Sequence, residues 1–311
     1  MPDDAVGRAC CPMTTGLACV ASKERQREER ERGMAEAVHE RFDALVALLR
    51  GVGSACIGYS GGVDSVFLAR VAVDALGPDR VLAVTGLSEA YPQVQRNVAR
   101  ECAGRFGIPH LEIQTDELSD PSYTANPRNR CYHCKTELWG KLTALAAERG
   151  LAAVLDGSNA DDARDVRPGM VAARELGVRS PLLEAGLTKA DIRALSRELG
   201  LPTWDQPSSP CLSSRLPYGL AVTTERLRQV ERAESEVRAL GFREFRVRHH
   251  GDAARIEVAP ADLPRAFRSA STIEAAVHRA GFSRVLLDVE GYRSGALNEP
   301  LQLVSLTAGK R

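Results

Sequence analysis

Apolar positions along this chain follow two different periods. In MAEAVHERFDALVALLR, Val38, Phe42, Leu45, Val46 and Leu49 share one face of a 3.6-residue repeat, which predicts a helix from Met34 onward. Four short strand-like runs follow: ACIGYS at 55–60, RVLAVTGL at 80–87, HLEIQT at 110–115 and AAVLDGS at 152–158. Helical patterns at 63–76, 92–106 and 135–149 separate them. This alternation predicts an α/β fold, a doubly wound parallel sheet. Ligands of such sheets bind beyond the carboxyl ends of the strands, where SGGVDS and DGSNADD both fall.

After a helical stretch at 188–199, the proline- and serine-rich segment LPTWDQPSSPCLSSRLPYG breaks both periods and reads as a long ordered loop at a domain boundary. Beyond it come a helix at 224–240, the strands FREFRVRHH and ARIEVA, a helix at 261–281 and the strand RVLLDVEG. The expected organisation is a disordered or loosely helical leader at 1–33, an α/β domain at 34–208 and a smaller α+β domain at 209–311. The leader carries the charge run SKERQREERERG and no apolar periodicity, and Met34 is an alternative start.

Composition narrows the functional classes. The 311 residues hold 41 Lys plus Arg and 41 Asp plus Glu, so the basic excess expected of a nucleic-acid binder is missing. No apolar stretch approaches the roughly 20 residues that cross a bilayer. Asp3 and Asp4 stand where a secretory signal has basic residues. A cytoplasmic protein acting on a small molecule, with no nucleic-acid or membrane partner, is expected. Eight cysteines are too few for a disulfide scaffold, so reduced thiols or a metal site are expected instead.

GYSGGVDS at 58–65 joins a buried-type strand to an amphipathic helix. Consecutive N–H groups in such a turn, with the helix dipole behind them, form an anion site. Gly61 and Gly62 allow close approach, Ser60 and Ser65 offer hydroxyl donors, and Asp64 is a candidate Mg²⁺ ligand. The GxxxxGK[ST] spacing of kinase-type loops is lacking, which argues against γ-phosphoryl transfer. In DGSNADD, Asp156 and Gly157 end a strand, Asn159 is a helix-cap candidate, and Asp161 or Asp162 is a candidate to complete the Mg²⁺ shell.

Cys131 and Cys134 in NRCYHCK are separated by two residues in a loop that opens a helix, where thiolates are stabilised, and Cys211 in SSPCLSSR is the third candidate. Zinc, redox and iron–sulfur roles all remain open for such a pair. Zinc would need a fourth ligand, with His133 or His110 the nearest options. A 4Fe-4S cluster on three cysteines leaves one iron open for a hydrosulfide. Cys10, Cys11 and Cys19 read as bystanders of the leader, Cys56 and Cys102 as small core hydrophobes.

SGGVDS resembles the pyrophosphatase loop of the PP-loop ATPases, which implies attack by a substrate oxygen on the α-phosphorus of ATP, with pyrophosphate leaving. GYSGGVDS, SEAYP, NPRNRCYHCKTEL, DGSNADDARDVRPGMVAARELGVRSPL and SSPCLSSRLPYG, in that order, resemble the LarE family from residue 35 onward. LarE proteins are ATP-dependent pyridinium-3,5-biscarboxylic acid mononucleotide sulfurtransferases of nickel-pincer cofactor synthesis. The resemblance implies adenylation of a substrate carboxylate and replacement of AMP by sulfur, giving a thiocarboxylate. Some members sacrifice the sulfur of a single cysteine matching Cys211. Others hold a 4Fe-4S cluster on three, and the chain, with all three, resembles the latter. One departure is Gln95, where a glutamate is expected. A homo-oligomer and a separate sulfur donor are further implications.

Arg246 and Arg248 in FRVRHH share a strand face at the spacing that lets two guanidinium groups meet one phosphate. The resemblance points to the same pair for the mononucleotide, with Arg215 and Glu234 as weaker candidates. Glu231, Glu234 and Glu236 are expected to pair with these arginines at the surface. Two other readings stay open: a tRNA thiolase of the same superfamily, and a non-catalytic module that binds ATP or metal.

Overall fold

The computed structural model describes residues 15–164, 168–293 and 303–305. The elements of the first half are α1 (Thr15–Val52), β1 (Ala55–Gly58), α2 (Val63–Leu76), β2 (Val81–Leu87), α3 (Gln93–Arg105), β3 (His110–Gln114), α4 (Pro121–Thr124), α5 (Arg130–Glu148), β4 (Ala153–Leu155), α6 (Pro168–Glu175), α7 (Pro181–Glu184) and α8 (Lys189–Glu198). The second half adds α9 (Thr224–Ala239), β5 (Phe245–His250), β6 (Ala253–Val258), α10 (Leu263–Arg268), α11 (Ala270–Arg279), β7 (Arg284–Asp288) and β8 (Leu303–Ser305).

The first sheet is parallel with order β3-β2-β1-β4. Its strand order reverses at β1, so a crevice opens between the carboxyl ends of β1 and β4. The apolar run of α2 buries Val63, Val66, Phe67, Leu68 and Val71 against this sheet, and Leu45 and Leu49 of α1 join the same core. Each such side chain contributes about 1.5–3 kcal/mol when removed from water. On the other face, α5 lies so close that a Cβ at Gly58 would come within 2.5 Å of the Trp139 ring. That contact explains a glycine at the end of a central strand.

The second sheet, order β5-β6-β7-β8, is mixed: β5–β6 and β7–β8 are antiparallel, β6–β7 parallel. Helices α9 and α11 cover it with Leu227, Val230, Val237, Ile273 and Val277. This second core also takes in Ala90 and Tyr123 from the first half and Leu212 and Leu216 from the long loop.

Several sequence expectations shift. Residues 15–33 continue α1, the helical one of the two alternatives expected for the leader, in keeping with the helix-forming Glu, Arg, Lys and Gln of that run, while residues 1–14 lie outside the described residues. The helix expected at 261–281 is broken at Ser269 into α10 and α11. Cys131 and Cys134 sit inside the opening turns of α5 instead of before it. Among the described residues no helix is long and apolar enough to cross a membrane.

Candidate active site

The glycine turn between β1 and α2 stands at the mouth of the crevice. Gly61 has a left-handed φ of 66°, and a Cβ there would lie 2.9 Å from the Ala99 backbone on α3, so the fold itself demands glycine. Gly62 has an ordinary φ of −79°, and its Cβ would meet only Ser60 Oγ, at 3.4 Å. The missing side chain at Gly62 is not needed for packing. It leaves open space at the N-terminus of α2, where backbone N–H groups and the helix dipole favour an anion. Ser65 Oγ donates to Gly62 O at 3.2 Å and accepts from Ser60 N at 3.2 Å, which fixes the turn.

Across the crevice, Asn159 caps its own turn as expected. Its Oδ1 accepts from Asp161 N at 3.0 Å, and its Nδ2 reaches Asp64 Oδ1 at 3.5 Å. Each of the three aspartates expected at Mg²⁺ accepts a hydrogen bond from a protein donor. Asp64 Oδ2 accepts from Lys189 Nζ at 2.5 Å, Asp161 Oδ2 from Lys189 N at 2.8 Å, and Asp162 Oδ2 from Asn159 N at 3.1 Å. One ammonium and two backbone amides thus take the carboxylates. Lys189 was missed by sequence reasoning, although the capping box between Thr188 and Asp191 that starts α8 was legible as T-x-x-D.

The loop carrying Cys211 is held by four arginines, each at most 6% exposed. Arg215 donates to Pro210 O at 2.7 Å and to Cys211 O at 3.1 Å; Arg246 donates to Ser208 O at 2.5 Å. Arg248 donates to Ser214 O at 2.9 Å and Arg130 to Ser213 O at 2.8 Å. The Tyr123 hydroxyl meets Ser213 Oγ at 2.6 Å, and Asn126 Nδ2 donates to Pro217 O and Leu220 O, both at 2.7 Å. Arg130, Tyr123 and Asn126 were not anticipated. An asparagine held buried at a positive φ of 55° leaves only NP in the sequence as its trace.

The four residues expected to bind substrate are thus brought together, but beneath the Cys211 loop. Arg215 makes a buried two-bond pair with Glu234, at 2.8 and 3.1 Å. Arg248 pairs with Glu257, which also meets Arg255. Among the described residues Arg246 has no carboxylate in contact: it lies 4.7 Å over the Tyr292 ring, and burial, with the charge of Arg215 nearby, pulls its pKa below the ordinary arginine value. A buried guanidinium in that position is short of one negative partner. Of the surface glutamates, Glu231 instead accepts from Gln93 N at 2.6 Å, and Glu236 pairs with Arg279.

Cys131, Cys134 and Cys211 lie within electrostatic reach of one another, and Cys134 and Cys211 rest on the same apolar cluster. Burial pushes the Cys134 thiol up to about 12, with Glu117 and the other two cysteines adding to it and Lys135 opposing. Loss of surrounding water and the Cys211 thiol raise Cys131 likewise, against Arg130 and Lys135. These donors fit an iron–sulfur cluster in kind, since deprotonated thiols are its usual ligands. Among the described residues, however, no three or more His, Cys, Asp or Glu are gathered closely enough to hold a metal ion. His110 is committed elsewhere, its Nε2 2.8 Å from Thr85 Oγ1, and His133 Nδ1 lies 3.7 Å from Asp120. Cys56 and Cys102 are buried core residues as expected, their thiols pushed up to about 12 and about 11 by burial. Cys10 and Cys11 lie outside the described residues.

Gln95 is 3% exposed and accepts from Gln206 Nε2 at 3.0 Å, joining α3 to the loop that leads to Cys211. Trp204 O and Gln206 O of that loop are held in turn by Arg193 of α8.

A parallel sheet with a glycine turn at its switch point and a second mixed sheet beside it defines the chain as a PP-loop α/β protein with an appended α+β domain. Residues 41–130 match the family described as NAD synthase. The chain belongs to the family of pyridinium-3,5-bisthiocarboxylic acid mononucleotide synthase: it is 38% identical to that protein of Lactiplantibacillus plantarum, over 84% of this chain and 95% of the relative. It is also 47% identical to an uncharacterized protein of Synechocystis sp., over 79% of this chain and 92% of the relative. A solved structure of NMN synthetase from Francisella tularensis aligns with TM-score 0.43 and 20% identity, covering 56% of this chain and 75% of that one.

Proposed function

We propose that this protein is an ATP-dependent sulfurtransferase that converts a carboxylate of pyridinium-3,5-biscarboxylic acid mononucleotide into a thiocarboxylate. The relationship to the Lactiplantibacillus plantarum synthase supports the substrate. The observation that carries the chemistry is the pairing of two features on one side of the molecule: an anion-binding turn with bare Gly62, and a Cys211 loop clamped at its carbonyls by arginines.

In the first step a carboxylate oxygen of the substrate attacks the α-phosphorus of ATP and the bond to the bridging oxygen breaks. Pyrophosphate departs into the turn at Ser60–Ser65, where the N–H groups and Lys189 stabilise its charge. For that, Lys189 exchanges Asp64 for phosphate oxygens, and Asp64 becomes available to Mg²⁺. In the second step a sulfur nucleophile forms a bond to the acyl carbon and AMP leaves, a better leaving group than the original oxygen. Arg246, lacking a carboxylate partner, is assigned to an anionic group of the mononucleotide. Arg215 and Arg248, already paired with Glu234 and Glu257, hold the loop in place.

The three cysteines are assigned to the sulfur supply, Cys131, Cys134 and Cys211 each furnishing one thiolate to a 4Fe-4S cluster. Held by these three residues, such a cluster would supply a replaceable sulfide, and the protein would survive each turnover. Burial favours the protonated thiols, and Lys135, with Arg130 at Cys131, opposes it.

Iron and acid-labile sulfide analysis of anaerobically prepared protein, followed by ATP, Mg²⁺ and the pyridinium dicarboxylate, tests the proposal. Cluster iron together with AMP, pyrophosphate and a thiocarboxylate product is expected. A product formed with conversion of Cys211 to dehydroalanine would replace the cluster by sacrifice of the thiol. Absence of pyrophosphate with this substrate would remove the function.

A further inference from the structure

Between β2 and α3, residues 88–91 touch both halves of the proposed site. Tyr91 reaches the glycine turn, its hydroxyl donating to Ser60 O at 3.1 Å. One residue earlier, Ala90 O accepts from Leu212 N at 2.8 Å, directly beside Cys211. Ala90 is itself buried in the second apolar cluster with Leu212. The segment is tied back at its start. Ser88 Oγ donates to Glu117 Oε1 at 2.6 Å and accepts from Ala90 N at 3.2 Å, while Tyr91 N donates to Ser88 O at 3.1 Å.

Glu117 is 5% exposed, and its other oxygen, Oε2, has no hydrogen-bond partner. A buried carboxylate retained with one oxygen unsatisfied is costly in a loop with no other duty. Ser88 is its hydrogen-bonded partner, and Ser88 is what folds residues 88–91 into a closed turn. The path from Ser60 O to Leu212 N then runs through only the Tyr91 side chain and the backbone of Tyr91 and Ala90. A shift of Ser60 on filling the glycine turn is therefore passed to Leu212 through a segment with little freedom to absorb it.

We propose that Ser88–Tyr91 is a coupling bridge through which nucleotide in the glycine turn sets the position of the Cys211 loop. Tyr91 and Ser88 are positioning residues for the sulfur step, and Glu117 anchors them. The inference rests on the reading of Cys211 as part of the sulfur supply only for its consequence, not for the coupling itself. Its consequence is that the Cys211 loop is set in place when nucleotide is bound, so that sulfur is in position as the acyl adenylate forms and its loss to water is limited.

Hydrogen exchange read by mass spectrometry on the full chain tests this, with and without α,β-methylene-ATP and Mg²⁺. In the unaltered protein the nucleotide slows exchange both in the 60–65 turn and in the 211–215 segment, the latter by about fivefold or more, the size of one neutral hydrogen bond. Tyr91→Phe keeps the slowing at 60–65 and loses it at 211–215. Ser88→Ala has the same effect, and Ser88→Thr, which retains the hydroxyl, restores the coupling. Nucleotide that leaves 211–215 unchanged in the unaltered protein, or slows it equally in Tyr91→Phe, overturns the proposal. A failed thiocarboxylate assay with coupling intact would instead contradict the proposed function alone.

Discussion

The ammonium of Lys189 lies 2.5 Å from Oδ2 of Asp64, joining two residues 125 positions apart at the mouth of the glycine turn. The pair is partly exposed, so it contributes little to stability. Its place makes it a charge that can turn toward phosphate. Lys189→Ala should lower kcat/KM for ATP by about 10²-fold, the scale of losing one fixed positive donor, with the folded state unaffected. Pyrophosphate release with varied ATP measures it, and Lys189→Arg should recover part of the loss.

The two glycines of the turn should separate by experiment. Gly61→Ala imposes a left-handed alanine and a clash with Ala99, costing about 1–3 kcal/mol in urea unfolding. Gly62→Ala should change stability by less than about 0.5 kcal/mol and yet weaken nucleotide binding, since only a ligand needs that space.

Arg215 and Glu234 form a buried, two-bond ion pair beneath Cys211. Arg215→Met leaves Glu234 buried without its partner and should destabilise the protein by about 3–5 kcal/mol. Adding Glu234→Leu should return much of that loss. A double-mutant cycle by thermal or urea unfolding reads the coupling directly.

Glu112 accepts from both Arg96 and Arg100, and the Arg96 hydrogen bonds first, then Arg100, hold its pKa at about 2 against an ordinary 4.5. A depressed carboxylate contributes stability that is fully present above its unfolded pKa and is lost as the pH falls through the folded one. Stability should therefore decline between pH 4.5 and about 2. Glu112→Gln should be less stable at pH 7 and show a shallower decline across that window, by urea unfolding at a series of pH values.

The strand–helix rhythm made the first sheet legible, because each of its buried strands is a short apolar run closed by glycine, serine or aspartate. SGGVDS marked the turn for the same reason: Gly61 is needed by its positive φ and by the close approach of Ala99, and that need leaves a local trace. The partners of those residues left none. Lys189 meets Asp64, Arg130 meets Ser213, and Tyr91 meets Ser60, each through a contact made only when distant segments fold together. The period-two spacing of Arg246 and Arg248 correctly gave a shared strand face. It could not reveal that the carbonyls of residues 208 and 214 lie above that face and occupy both side chains.

The central claim is that activated carboxylate and cysteine-supplied sulfur meet at one site. Anaerobic single-turnover comparison of the unaltered protein with Cys211→Ala, following pyrophosphate and thiocarboxylate from the pyridinium dicarboxylate, tests it most directly. Pyrophosphate from both proteins but thiocarboxylate from the unaltered one alone is the predicted result. Thiocarboxylate formed at an equal rate by Cys211→Ala would contradict it.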